Sequence, residues 1–370
     1  MMRRLVTMLF SVLIVTGLLV AGCAPAAAPE GGEPSPAEEE EEDAGTPAAA
    51  EDEVIEWLGQ HHDAAGGSKN KRFQEFCDRV NLASNGRMKL TLQAGGGIVP
   101  ATEEFDATHK GLIDFCEAYS PYVLDVFPNA GLFAYTVGGL SALEYVYWMR
   151  NGGGAALYDE MLGDYGVTLI HGKLFPPETF IWTTKPLESL DDMQGLKMRT
   201  AGDDGEMLSE MGVSVVFLAG GEVYEATQRG VIDAFQLADP AIDIELAAHE
   251  VADYCYLSPV RQPTDYSCLG MNTESWEALP DDLKQVVDDA YLANSLEVYG
   301  ELMQANIEAI EFLKDYGTNV GPIPKDIEDE LIKQANIFYD AKAAEDPFYA
   351  EILNSMREFQ AAYALAYARY

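Results

Sequence analysis

Basic residues are scarce in this chain. Lysine and arginine number 23 among 370 residues, against 62 aspartates and glutamates, and the formal net charge is −39. A phosphate backbone is bound by basic surface, so nucleic acid is excluded as a partner. Enzyme signatures are missing too. The chain has no Gly-x-Ser-x-Gly elbow, phosphate loop, His-Glu-x-x-His pair or Cys-x-x-Cys pair. Gly95-Gly96-Gly97 lacks the spacing of a dinucleotide fingerprint and reads as a turn beside a cleft. With so many acids, a chance carboxylate pair is no sign of catalysis. No cofactor is assigned. Histidines number 5. The adjacent His61 and His62 have no third ligand at helical spacing, and neighbours on a loop usually point apart. No metal is assigned to them; His61 is kept as a residue lining a cleft or a surface loop.

Long apolar runs are also few. Leu5 to Val20 follows Arg3 and Arg4 and is short for a spanning helix. It ends in Leu19-Val20-Ala21-Gly22-Cys23, the pattern of a bacterial lipoprotein signal, against which stand an ordinary signal peptide and a membrane anchor. Residues 1–23 are therefore expected to be a signal peptide, with Cys23 acylated and the chain held extracytoplasmically on the membrane. Residues 24–52 are rich in Ala, Pro, Gly and Glu, with the acidic run Glu38 to Asp43. Such a segment buries too little apolar surface to fold and reads as a disordered acidic tether. Export leaves Cys77, Cys116, Cys255 and Cys268 in an oxidising compartment. Cys255 with Cys268, or Cys77 with Cys116, are the candidate disulfides, although all four lie in apolar contexts that suit free thiols.

The most informative stretch runs from Leu190 to Pro240. Leu196 to Thr200 alternates as a half-buried strand. Glu206 to Met211 puts Met207, Leu208 and Met211 on one helical face, and Gly212 ends it. Val213 to Leu218 reads as a strand, Gly220-Gly221 opens a second helix that carries Val223, Ala226 and Thr227 inward and ends at Gly230, and Val231 to Leu237 reads as a third strand. Such alternation implies parallel strands with helical crossovers and an α/β fold. Ligands in these sheets sit at carboxyl ends of strands, where Arg199 and Gln236 fall. A guanidinium there is a charged fork that fits a carboxylate. At about 4 Å and an effective dielectric of 20 it contributes on the order of 4 kcal/mol. Distant surface acids are screened beyond roughly 8 Å.

Leu190, Gly195-Leu196-Lys197-Met198-Arg199, Gly220-Gly221-Glu222, Gly230-Val231-Ile232-Asp233-Ala234 and Asn272…Trp276…Leu279-Pro280 together carry a resemblance. From about Val54 onward the chain resembles the DctP-type solute-binding subunits of TRAP transporters, the tripartite ATP-independent periplasmic family, nearest the branch for 2-oxo acids and related organic acids. The resemblance implies a two-lobe periplasmic-binding-protein-like fold, with mixed sheets flanked by helices, hinge strands and a long helix spanning both lobes. Lobe 1 is expected over 53–176 and lobe 2 over 177–264, with 265–370 returning to lobe 1 and its last two helices packing there. It further implies a small organic acid as solute and TRAP permease subunits as partners. An ABC-type binding lipoprotein and a two-domain hydrolase are the alternatives.

Carried over residue by residue, Arg199 clamps the solute carboxylate, with a salt bridge to Asp203 or Asp204 as its other reading. Glu178 and Trp182 lie where the family places a polar contact; the oxo-acid branch commonly has Gln at the position of Glu178. Gln236 and Leu237 stand where that branch has Glu-Trp, and Gln262 where it has a second Glu. Arg261 could offer a second cation, as a diacid would require. Tyr119, Phe133 and Tyr135 are wall candidates. In that branch a cation can bridge solute and acids. Amides carry no net charge, so binding here is expected not to need one.

Overall fold

The computed structural model describes residues 54–200, 203–216, 218 and 222–367. The expected signal segment, Cys23 and the acidic segment 24–52 lie outside them. In chain order the elements are β1 (Ile55–Gln60), α1 (Ser68–Ala83), β2 (Met88–Gln93), α2 (Glu104–His109), β3 (Phe115–Ala118), α3 (Ala142–Asn151), α4 (Gly154–Leu162) and β4 (Val167–Phe175). Then follow β5 (Ile181–Thr183), β6 (Lys197–Arg199), α5 (Asp204–Glu210), β7 (Ser214–Val216), α6 (Val223–Gln228), β8 (Ala234–Phe235), α7 (Pro240–Glu245) and β9 (Tyr254–Leu257). The chain closes with β10 (Asp265–Asn272), α8 (Thr273–Glu277), α9 (Asp281–Tyr316), β11 (Asn319–Pro322), α10 (Lys325–Glu345) and α11 (Pro347–Ala366).

Local sequence explains most of these. In α1, Phe73, Phe76, Cys77 and Val80 recur at helical spacing and are all buried. α3 starts at Ser141, which forms a capping box with Glu144. Gly212 stops α5 in the left-handed region at φ 88°, where a Cβ would also meet Gln194 Oε1 at 2.2 Å. α7 begins at Pro240 because Asp239 caps it by accepting from Ala241 N and Ile242 N. The third strand of the Leu190–Pro240 stretch is shorter than expected, since the backbone leaves the sheet after Phe235.

The strands make two mixed sheets, β2-β1-β3-β10-β4 and β11-β9-β5-β8-β6-β7. In the first, β1 pairs in parallel with β2 and β3, while β10 runs antiparallel to β3 and β4. In the second, β6 pairs in parallel with β7 and β8, as the strand–helix alternation predicts. The chain crosses between sheets after β4 and before β10. Helix α9 bridges them: Leu283, Val287, Ala290 and Tyr291 join the core around α1. Val298 and Leu302 then pack with Phe175, and Leu313 joins Trp182 and Phe235 in the second core.

Two expectations are corrected at the C-terminal end. Strand β11 belongs to the second sheet, beside β9. Helix α10 packs on α5 as well as on the first lobe, where its Tyr339 Oη accepts from Val137 N at 2.9 Å, and α11 packs on α3 and α4, where Trp148 Nε1 donates to Ser355 Oγ at 3.0 Å. An apolar helix face asks for cover but does not say which lobe gives it.

The four cysteines are buried and free. Cys255 is on β9 and Cys268 on β10, so the first candidate pair is split between sheets. Cys77 packs with Phe115, and Cys116, the next residue of β3, faces the opposite core. Burial pushes all four thiols up. Alkylation in denaturant without reductant is expected to label all four thiols by mass spectrometry. Any pair protected until reduction would show a bridge.

Candidate functional site

A cavity of about 390 Å³ opens between the carboxyl-end edges of the two sheets. The crossing segments give it Phe175, Glu178, Arg261, Gln262 and Asp265. β6 and β8 end at its second wall with Arg199, Gln236 and Leu237, while Lys69, Glu117, Tyr119 and Tyr122 form the first.

Arg199 ends β6 because its backbone pairs on both sides, with β7 and β8. Its Nε donates to Leu218 O at 3.0 Å and its Nη1 to Gln236 O. Both acceptors are neutral carbonyls. Among the described residues no carboxylate lies within 4.0 Å of this guanidinium, so the alternative bridge to Asp203 or Asp204 is not formed. A guanidinium has five N–H groups, and those not on the backbone are available at the wall.

Arg261 is the opposite case. Its Nε and Nη2 donate to Thr179 O at 3.2 and 3.1 Å, its Nη1 to Asp204 at 3.1 Å and Gln262 Oε1 at 3.2 Å, and its Nη2 to Glu178 at 2.5 Å. Every donor is taken, and the residue is 3% exposed. Burial works against its charge, but Glu178 and then Asp204 more than offset that. Arg261 lines the cavity, yet it has no N–H left for the second carboxylate it was expected to hold.

The two glutamines are fixed by their partners. Gln236 Nε2 donates to Phe180 O at 2.9 Å, and its Oε1 accepts from Thr200 at 2.5 Å. Gln262 must turn its oxygen to Arg261, because a guanidinium only donates. Its buried NH₂ is left with no partner among the described residues.

Two expected site residues stand elsewhere. Trp182 is fully buried behind the wall, where its Nε1 donates to Asp243 at 2.6 Å and its ring stacks on Phe235. Indole needs an acceptor when buried, and Asp243 is that acceptor. His61 is also fully buried. Its Nδ1 accepts from Asp63 N at 2.9 Å, so its proton is on Nε2, which donates to Glu117 at 2.9 Å. Glu117 in turn takes Lys173 at 2.6 Å and Ser267 at 2.7 Å. Of the wall candidates, Tyr119 and Tyr135 line the cavity, and Phe133 is core, stacked on Tyr158. The histidine rings do not point apart; they stack with centroids 4.4 Å apart, and it is His62 that reaches the cavity. Ligand atoms of His61, His62 and Asp63 lie within 4.8 Å of one another. With both nitrogens of His61 engaged, that trio is a donor short of a metal site. Sequence reasoning missed Lys69, Asp204 and Asp265. Lys69 follows the loop after β1, so the carboxyl-end rule applied to that strand would have included it.

Acids in the cavity are less charged than their number suggests. Burial, with Glu178 next, pushes Asp265 up to about 7. Burial pushes Asp204 up to about 6 despite Arg261; Glu104, outside the cavity lining and bonded to His62, is pushed up to about 10 by burial with Glu117.

Residues 59–346 match the family described as bacterial extracellular solute-binding protein, family 7 (DctP). A monocarboxylate 2-oxoacid-binding periplasmic protein of Nostoc sp. (strain PCC 7120) is 27% identical over 287 residues, 78% of this chain and 79% of the relative. A TRAP periplasmic solute binding protein from Colwellia psychrerythraea, solved with bound calcium and pyruvate, superimposes with a TM-score of 0.78 at 25% identity. The match covers 85% of this chain and 97% of that one. A further TRAP protein, from Pseudoalteromonas atlantica with bound sodium and pyruvate, gives 0.78 at 22% identity, covering 85% and 96%.

The cations in those two proteins prompt a test of the donors here. A hard cation wants charged oxygens. The amide of Gln262 turns its NH₂ away from Arg261, Gln236 has its oxygen on Thr200, and Glu178 is paired with Arg261. These residues do not fit a calcium or sodium cage.

Two outcomes are expected. Arg261→Met leaves the buried Asp204 and the half-buried Glu178 without their counter-charge, and should cost about 3–5 kcal/mol in urea unfolding. Adding Glu178→Gln and Asp204→Asn should recover part of it; a single variant as stable as the parent would contradict the assignment. The second concerns pH. Asp265 and Glu104 hold protons in the fold that the unfolded chain has lost above about 4, so their stabilising contribution is fullest below that and declines up to their folded values. Between pH 6.5 and 8 the urea midpoint should therefore fall as pH rises. Asp265→Asn with Glu104→Gln should flatten the slope, and a midpoint rising over that window would refute the reading.

The match over residues 59–346 and the shared two-lobe architecture fix the kinship, and the chain belongs to family 7 of the bacterial extracellular solute-binding proteins, as a solute receptor of the TRAP type.

Proposed function

We propose that the cavity takes a small 2-oxo monocarboxylate and that Arg199 is its anchor. The observation that carries this is a guanidinium held on two backbone carbonyls, with no carboxylate partner among the described residues, at the wall of a cavity. A solute carboxylate completes its hydrogen bonds. Gln262 adds a buried NH₂ with no partner among the described residues, a donor suited to a second solute oxygen. The spent donors of Arg261 favour a monoacid over a diacid. The Nostoc relative, described as binding monocarboxylate 2-oxoacids, points the same way.

In this reading the solute is captured without turnover and passed to the membrane subunits of a TRAP transporter. The receptor works outside the cytoplasm. Acylation of Cys23 would tether it there, a proposal that rests on Leu19 to Cys23 alone. Among the described residues no helix is long and apolar enough to cross a membrane.

The test is calorimetry with pyruvate, other 2-oxo acids and C4 diacids. Monoacids should bind more tightly than diacids. Arg199→Ala should weaken binding at least about a hundredfold, since a charge-assisted pair is desolvated there. An unchanged affinity in a folded variant would overturn the assignment.

A further inference from the structure

One cavity cation has no role in the preceding account. Lys69 stands in the first turn of α1, and its ammonium lies 5.0 Å from the ring centroid of Phe175 on the floor of the cavity. Among the described residues it makes no ion pair within 4.0 Å and no hydrogen bond. Asp63, Glu178 and Asp265 line the same space. Burial acts to strip its proton, but Asp265, Asp63, Glu178 and Asp239 more than offset this, so it stays charged. An ammonium has three donors and no acceptor capacity. Here those donors face a cavity and not a partner.

The setting gives this a meaning. Two similar proteins hold calcium or sodium as well as pyruvate, whereas the glutamines and the paired Glu178 of this chain do not fit such an ion. We propose that the ammonium of Lys69 supplies, from the chain itself, the positive charge that a metal ion brings to those cavities. Its N–H groups then meet oxygens of the bound acid opposite Arg199. The inference rests on the reading that this cavity is the solute site. A tethered cation has two consequences. The protein binds its solute without sodium or calcium, and the carboxylates around Lys69 are already neutralised against a free ion. Removing the lysine charge leaves Asp63 and Asp265 without the cation they share the cavity with, while Glu178 stays on Arg261, and so frees hard oxygens that the parent does not offer.

The experiment titrates calcium alone into the full, ligand-stripped chain in potassium chloride, by calorimetry. The parent should show no saturable site tighter than ~1 mM. Lys69→Gln should gain one at least about tenfold tighter, and Asp265→Asn in that background should remove it. A parent that binds calcium as tightly as Lys69→Gln, or a folded Lys69→Gln that gains no site, would overturn the proposal. A second measurement needs only the parent: its pyruvate affinity should stay within about threefold between chelator and added calcium or sodium. A tenfold rise on restoring either ion would also overturn it. Should no acid bind under any ion condition, the solute reading falls, and the calcium titration alone decides the role of Lys69.

Discussion

Arg261 is the interaction on which the rest of the site depends. It sits on the segment that carries the chain from the second sheet to the first. Its guanidinium holds Thr179 and Glu178 on the other crossing segment, Gln262 beside it, and Asp204 at the start of α5. Burying one such charge costs several kcal/mol, which is offset only where geometry satisfies every donor. That condition is met. The consequence reaches Arg199. Glu178 and Asp204 are the acids that would otherwise compete for a second guanidinium in the same cavity. With both committed to Arg261, Arg199 keeps only backbone partners among the described residues. One arginine is structural so that the other can be free.

The same division of charge answers how a chain of net charge −39 can receive an anion. Surface acids more than roughly 8 Å away are screened in physiological salt. Inside the cavity the balance is local. Glu117 has burial working to raise it, yet Lys173 and His61 hold it well below the usual carboxylate range. Asp265, pushed up to about 7, carries only part of a charge near neutrality. Composition therefore overstates the negative field that a solute meets.

Elements with a strong local period were legible in the sequence. The strand ending at Arg199 and the helix that Gly212 stops follow from spacing and breakers, and the long helix from the family resemblance. Gln236 and Leu237 follow the Gly230–Ala234 motif at a short, fixed distance and line the cavity, as does Gln262, which no motif adjoins. What escaped was set by tertiary partners. Nothing in the sequence near Trp182 announces that its indole is claimed by Asp243 on α7. His61 and His62 look equivalent as letters, but a backbone N–H fixes one into the core and leaves the other at the cavity. Lys69 reads as one more polar residue at a helix start. Only the fold puts it over Phe175.

The hinge shows why such a cavity can respond to a solute at all. Helix α9 has its first turns in one core and Leu313 in the other. Between them only Val298 and Leu302 meet Phe175, in a cluster of three residues. The largest core cluster joins the two sheets as well, Cys116 and Ala118 of β3 with Met198 and Ala234 of β6 and β8, so a change in the distance between the walls is a shift between two packed arrangements. A ligand shifts such an equilibrium only through contacts that differ between the two arrangements. Contacts within one wall do not differ. Arg199 and Lys69 lie on separate walls, anchored to β6 and α1, and an acid that touches both gains its second contact only when the walls approach. On the proposed reading, the energy that closes the receptor comes from that pair acting together.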